Sequence, residues 1–307
     1  MKRRHVLFTV LVAFSFVASL AHAAEPQSFD SDGVPIQYVE SGQGEPVILI
    51  HGFVANAQLN WIAPGIFQGL ASDYRVIALD NRGHGRSGKP HDAASYGPQM
   101  AKDVINLMDH LGIEKAHVAG YSLGGFITTH LISEYPERLL SAAPCGAGWS
   151  APGDAREQLT DAIAESLESG NGIAPLIEAL TPAGQPKPSK EQLAQMNRMI
   201  TAMNDPLALA AVARGLKNLA VTAEALQDGA ASVPVHSIIG EIDPLKETVD
   251  AMHQVLPHMT VTVIPGADHM SAFMDTMFLN ALKQHLAAHG ALQRTGAPET
   301  AGVAAAN

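Results

Sequence analysis

The chain has 307 residues, 47% of them hydrophobic and 16% charged. This allows one large domain with an insertion and excludes the low-hydrophobicity, high-charge signature of disorder. A net charge of −11 argues against nucleic acid and against a polybasic membrane-surface mode, and a single cysteine, Cys145, excludes an intrachain disulfide.

Residues 1–23 read as a signal peptide: Lys2-Arg3-Arg4 is basic, residues 6–20 are apolar, and Ala21-His22-Ala23 is a small-x-small cleavage site. The apolar stretch is short for a bilayer span. The expectation is an exported protein, periplasmic or secreted, with no stable membrane span after processing. Its removal takes three basic residues and no acid, so the mature chain is more acidic still.

Residues 28–41 read as a hairpin turning at Asp32-Gly33. Residues 46–50 form a continuous apolar run, as expected of a strand covered on both faces. The spacing then predicts a helix at 61–71, a strand at 75–79, a helix at 96–111, a strand at 116–119, a helix at 125–133 and a strand at 139–143. This alternation implies a doubly wound α/β fold with a mostly parallel sheet. From about 149 to 226 the strands stop, and helices are predicted at 156–168, 173–180, 190–203 and 207–219. We read residues 148–226 as an inserted helical cap on a core of 24–147 and 227–289. In that core a strand at 233–239, a helix at 248–255, a strand at 259–264 and a helix at 273–289 follow. Residues 290–307, rich in Ala, Gly and Thr, read as a disordered tail.

Gly120-Tyr121-Ser122-Leu123-Gly124 follows a short buried strand and opens a helix. This is the context a G-x-S-x-G nucleophile turn requires. Asp243 and His269 also fall just past strand ends, the side on which open α/β sheets bind ligands. A serine hydroxyl needs a base to accept its proton, an imidazole does so near neutral pH, and a carboxylate fixes the imidazole tautomer. Ser122, His269 and Asp243 are therefore the candidate catalytic residues. Asp268 adjoins His269 in sequence and is a poor orienting partner, with loop capping as its expected role. His51, His84, Asp80 and Arg82 read as loop-bracing residues, Cys145 as a buried small side chain, and Met196, Met199 and Met203 as a core stripe at helical spacing. A single cysteine cannot supply a zinc site, and no metal site is expected.

His51-Gly52-Phe53, Asp80-Asn81-Arg82-Gly83-His84-Gly85-Arg86-Ser87, the 120–125 turn, Gly240-Glu241-Ile242-Asp243 and Gly266-Ala267-Asp268-His269 occur in that order, each at a predicted strand end. In this the chain, over roughly 28–289, resembles the α/β-hydrolase fold superfamily, in its serine esterase or lipase-like form with a helical cap. The resemblance implies an oxyanion hole from the backbone N–H groups of Phe53 and Leu123, an acyl-enzyme mechanism and no cofactor. It implies a small-molecule carboxylic ester as substrate, and the apolar cap suggests an apolar group on it. Dehalogenases and epoxide hydrolases of the superfamily use an aspartate where Ser122 stands. Carbon–carbon hydrolases, usually with Asn where Tyr121 stands, enol-lactonases, perhydrolases and proline iminopeptidases keep the serine and stay open as alternatives. A binding protein of the same fold is a further one, although such proteins usually lose a member of the serine, histidine and acid set. The oligomeric state is left open.

Overall fold

The computed structural model describes residues 25–154 and 156–290. The expected signal peptide and the expected tail beyond Gly290 lie outside the described residues. Among the described residues no helix is long and apolar enough to cross a membrane.

The chain opens with β1 (Gln27–Ser31) and β2 (Val34–Ser41), an antiparallel hairpin with Phe29 opposite Ile36. Its turn residues Asp32 and Gly33 have φ of +53° and +83°, the left-handed pair that suits a two-residue hairpin. Then come β3 (Pro46–Ile50), α1 (Ile66–Ala71), β4 (Arg75–Leu79), α2 (Pro98–His110), β5 (Ala116–Tyr121), α3 (Leu123–Glu134) and β6 (Leu139–Cys145). After β6 follow α4 (Arg156–Glu168), α5 (Ala174–Ala179), α6 (Lys190–Met203), α7 (Pro206–Gly215) and α8 (Ala223–Ala230), with no strand among them. The chain closes with β7 (His236–Gly240), α9 (Lys246–Val255), β8 (Thr260–Ile264) and α10 (Thr276–Ala288).

Six strands lie in the order β1-β2-β4-β3-β5-β6, antiparallel through β2 and β4 and parallel from β4 onward. The parallel pair β7-β8 continues the sheet through a bridge from Ala142 to Val235 and the Ser237 hydroxyl, which donates to the Pro144 carbonyl at 2.7 Å. Successive strand side chains point to opposite faces. Ile48, Ile50, Ile77, Leu79 and Val118 thus meet Val104, Leu107, Ile127 and Leu131 on one side. Val47, Leu49, Val76, Ala78 and Ala119 meet Trp61, Phe67, Leu70, Phe278 and Leu282 on the other. That two-sided burial is why the strands read as unbroken apolar runs. A third cluster, including Ile163, Leu167, Ile173, Leu209 and Ala213, joins α4 and α7.

Three expectations change. The helix expected at 61–71 is a π-type turn, Gln58–Ile62, and then α1, separated by Pro64 and by Gly65 at φ +82°. The helix expected at 207–219 is α7 followed by a 3-10 turn, Leu216–Leu219. Helix α8 was not expected, and residue 226 falls within it. It packs on α3, where Gly229 leaves no room for a Cβ against the Ile132 carbonyl.

Candidate active site

Ser122 stands between β5 and α3 with φ +56° and ψ −114°, a conformation rare and costly for a residue with a Cβ. The turn is held from both sides. Ser122 N–H donates to the Cys145 carbonyl at 2.8 Å. A Cβ on Gly120 would run into the Gly124 carbonyl, and one on Gly124 into the Ile50 carbonyl. Both positions therefore need glycine, and the close approach they permit raises Ser122 at the strand end.

The loops after β7 and β8 bring the other two groups to it. Asp243 and His269 are each 4% exposed, whereas Ser122 is half-buried and open to an approaching molecule. His269 Nδ1 lies 2.8 Å from Asp243 Oδ2, and Nε2 lies 3.0 Å from Ser122 Oγ. An ionised carboxylate only accepts, so Nδ1 carries the ring proton, and in the neutral ring Nε2 is the acceptor for the serine hydroxyl. The second Asp243 oxygen accepts from Leu245 N–H at 2.9 Å, which fixes the carboxylate plane. Asp268 turns away: its Oδ1 accepts from Met270 N–H, Ser271 N–H and the Ser271 hydroxyl at 3.0, 2.9 and 2.6 Å, capping its own loop.

The loop after β3 packs directly on the serine turn. A Cβ on Gly52 would lie 3.2 Å from Ser122 Cβ. Gly52 N–H donates to Asn60 Oδ1 at 2.8 Å, and Ala55 N–H to the Gly52 carbonyl at 3.3 Å. Within that turn Val54 has φ +56°, an outlier for a β-branched residue. Phe53 and Leu123 line the same cavity as Ser122, and the N–H of Leu123, the first residue of α3, has no partner within its helix.

The neighbouring histidines are structural. His51 Nδ1 donates to the Gly52 carbonyl at 2.7 Å and Nε2 accepts from Asn81 N–H at 2.9 Å. Burial pushes its pKa down to about 4. His84, behind it, is pushed down to about 3, first by burial and then by His51. Asp80 accepts from Ala57 and Arg86 N–H, bracing the loop after β4. Cys145 is buried, and that burial pushes its thiol up to about 12.

Two features were not read from the sequence. The Tyr121 hydroxyl donates to the His269 carbonyl at 2.6 Å, and a tyrosine inside a buried strand was the available signal, because a buried phenol needs a partner. The strain at Val54 had no signal. The methionine stripe of α6 also differs from expectation: Met196, Met199 and Met203 are exposed, in neither the core nor the cavity wall. The cavity measures about 280 Å³ and is bounded by α3, the residues after β6, and α4, α5 and α7. Among the described residues no group of three or more His, Cys, Asp or Glu could hold a metal ion.

A family model described as alpha/beta hydrolase fold matches residues 45–172. The chain is 33% identical over 273 residues to the dihydrolipoyllysine-residue acetyltransferase component of acetoin cleaving system of Cupriavidus necator, covering 86% of this chain and 70% of that protein. It is 39% identical over 119 residues to the 2-hydroxy-6-oxo-6-phenylhexa-2,4-dienoate hydrolase of Comamonas testosteroni. That match covers 37% of this chain and 40% of the relative. Among solved structures, a malate-bound thermophilic esterase from Thermogutta terrifontis superposes with a TM-score of 0.68 at 26% identity, covering 87% of this chain and 100% of that chain.

Proposed function

The chain belongs to the alpha/beta hydrolase fold family and is a hydrolase, and on that premise we propose that it is an exported serine hydrolase that cleaves a carboxylic ester through an acyl-enzyme. The observation that carries this reading is the continuous line from Ser122 Oγ through His269 to Asp243, at 3.0 and 2.8 Å. Ser122 Oγ attacks the ester carbonyl as His269 Nε2 takes its proton. Asp243 stays ionised and stabilises the imidazolium. The tetrahedral oxyanion accepts from the N–H groups of Phe53 and Leu123, each donor contributing about 3–4 kcal/mol to the transition state. The carbon–oxygen bond breaks, and the departing oxygen takes the proton from Nε2. Water then attacks the acyl-serine with His269 as base, releasing the acid and restoring Ser122. The strained backbone at Ser122 supports the reading, since strain of this kind persists where a side chain must be held for chemistry. The basic, apolar and small-residue sequence of 1–23 supports export.

The test is fluorophosphonate labelling of the purified protein, with intact mass and peptide mapping, beside Ser122→Ala and His269→Ala. One adduct on Ser122 is expected, absent in the first variant and slowed in the second, with each variant losing at least about 10⁴-fold in kcat. No adduct on folded wild type overturns the reading. A panel of esters, thioesters and lactones then separates ester cleavage from the other acyl bonds a serine nucleophile opens.

A further inference from the structure

Resting on that serine-hydrolase reading, we propose that the cavity beside Ser122 takes the acyl half of the substrate, that this half is uncharged, and that the alcohol half leaves across the open surface around His269.

The cavity starts at Ser122 and follows one face of α3, where Leu123, Phe126 and Thr129 recur at intervals of three. Trp149, Leu245 and, from the helices above, Ile163 and Leu176 are among its other walls. Ser122 lines it and His269 does not. That asymmetry assigns the two halves of an ester. The oxygen that departs must receive the proton carried by His269 Nε2, so the leaving group stands beside His269 when the bond breaks. The acyl carbon stays on Ser122 Oγ, and its chain must extend away from the imidazole. The enclosed space on that side is this cavity. On the His269 side the residues stand open to solvent: Met270 is 63% exposed and Met274 60%. At about 280 Å³ the cavity lies near the lower end of the range of about 300–1,000 Å³ typical of ligand pockets, which suits a medium-length or single-ring acyl group.

Its walls favour an uncharged acyl group. The Thr129 hydroxyl already donates to the carbonyls of Gly125 and Gly148 at 3.1 and 3.0 Å, and Trp149 Nε1 donates to the Val221 carbonyl at 2.8 Å. Arg156 is held by Asp154 at 3.0 Å, Glu247 at 2.7 Å and Ser150 at 3.3 Å. Asp154, Glu157 and Glu247 outnumber the lining cations Arg156 and Lys217, so the local field opposes a carboxylate.

Two ester series test this. The first holds nitrophenol constant and lengthens the acyl chain from acetyl to dodecanoyl, with a succinyl half-ester as the anionic member. The second holds butanoyl constant and enlarges an alkyl alcohol of constant acidity. Each is followed by kcat/KM, and the first also by single-turnover deacylation, whose acyl-enzyme contains no alcohol. Expected are a peak at medium acyl length, a length dependence that persists in deacylation, and an alcohol series flat to within about threefold. The succinyl ester falls at least about tenfold below its neutral isostere. Phe126→Trp and, on the opposite wall, Leu176→Trp each move the optimum to shorter chains, changing the long-to-short ratio by about tenfold or more. Size dependence in the alcohol series, or none in either, overturns the proposal while Ser122 still labels. Failure of Ser122 to label would instead overturn the reading on which it rests.

Discussion

Tyr121 shows how one residue beside the nucleophile can govern another far along the chain. Its hydroxyl donates to the His269 carbonyl at 2.6 Å, and its ring centroid lies 5.3 Å from that imidazole and 5.0 Å from the ring of Phe273. Burial is the first cause of a phenol pKa raised well above its ordinary value, with the charge of Asp243 adding to it, so the hydroxyl remains a donor throughout the working pH range. Tyr121→Phe keeps the ring and removes only that donor, leaving a buried carbonyl unpaired at about 1–3 kcal/mol. His269 then loses one of its anchors. The expected outcome is a kcat lowered by between about tenfold and a hundredfold, the size of effect that misplacing a catalytic group produces. KM changes little and phosphonate labelling slows in proportion to kcat. Full activity at a reduced melting temperature would leave Tyr121 a purely structural role.

At the scale of elements, the loop after β4 is tied to α2 by Arg82, whose Nε and Nη2 reach the two Asp103 oxygens at 2.7 and 2.6 Å. Ser31, at the end of β1, donates to the same carboxylate at 2.6 Å, and Arg82 Nη1 donates to the Ser95 carbonyl at 2.8 Å. Asp103→Asn preserves the shape but leaves a buried guanidinium without its counter-charge, which destabilises by about 3–5 kcal/mol. The urea midpoint should fall accordingly, and a midpoint within error of wild type would refute the assignment. Which elements were legible follows from where their determinants lie. The strands β3 and β4 were legible because burial on both faces is written in their composition. Ser122, Asp243 and His269 were legible as candidates because each stands within a few residues of a strand's C-terminal end. The break at Gly65 belongs to local turn chemistry and was missed through an apolar pattern that continued across it. Helix α8 and the hydrogen bond from Tyr121 to the His269 carbonyl depend on partners distant in sequence, which periodicity does not encode. The methionines of α6 have the spacing of a buried stripe, yet spacing does not say whether another element covers them.

Over the whole molecule, the fold buries several histidines whose pKa values lie below the ordinary one, and each of these contributes to acid stability. His51 and His84 lie beneath the site with ring centroids 5.2 Å apart. At the far side, His285 of α10 lies between His236 of β7 and His289, at 5.3 and 4.9 Å. Burial first, and then His236, His289 and His117, push His285 down to about 2, while the Ala142 carbonyl acts in the opposite direction. Burial and His289 push His236 down to about 4. Each of these folded-state values lies below that of an unfolded histidine, about 6.5. Between the two values the unfolded chain binds the extra proton, so stability increases with pH there. The contribution is complete above about pH 6.5 and declines as pH falls toward the folded-state value. The slope is about 1.4 kcal/mol per pH unit for each well-buried histidine. Wild type should therefore hold its melting temperature above about pH 6.5 and lose it progressively below. His285→Leu removes one titrating group from the cluster and, with it, the bond to Ala142. Its melting temperature should start at or below wild type at pH 7.5 and fall less steeply between pH 6 and 4.5, so that the gap closes or reverses on acidification. Parallel curves for the two proteins across that range would show that the cluster on α10 does not set the acid limit.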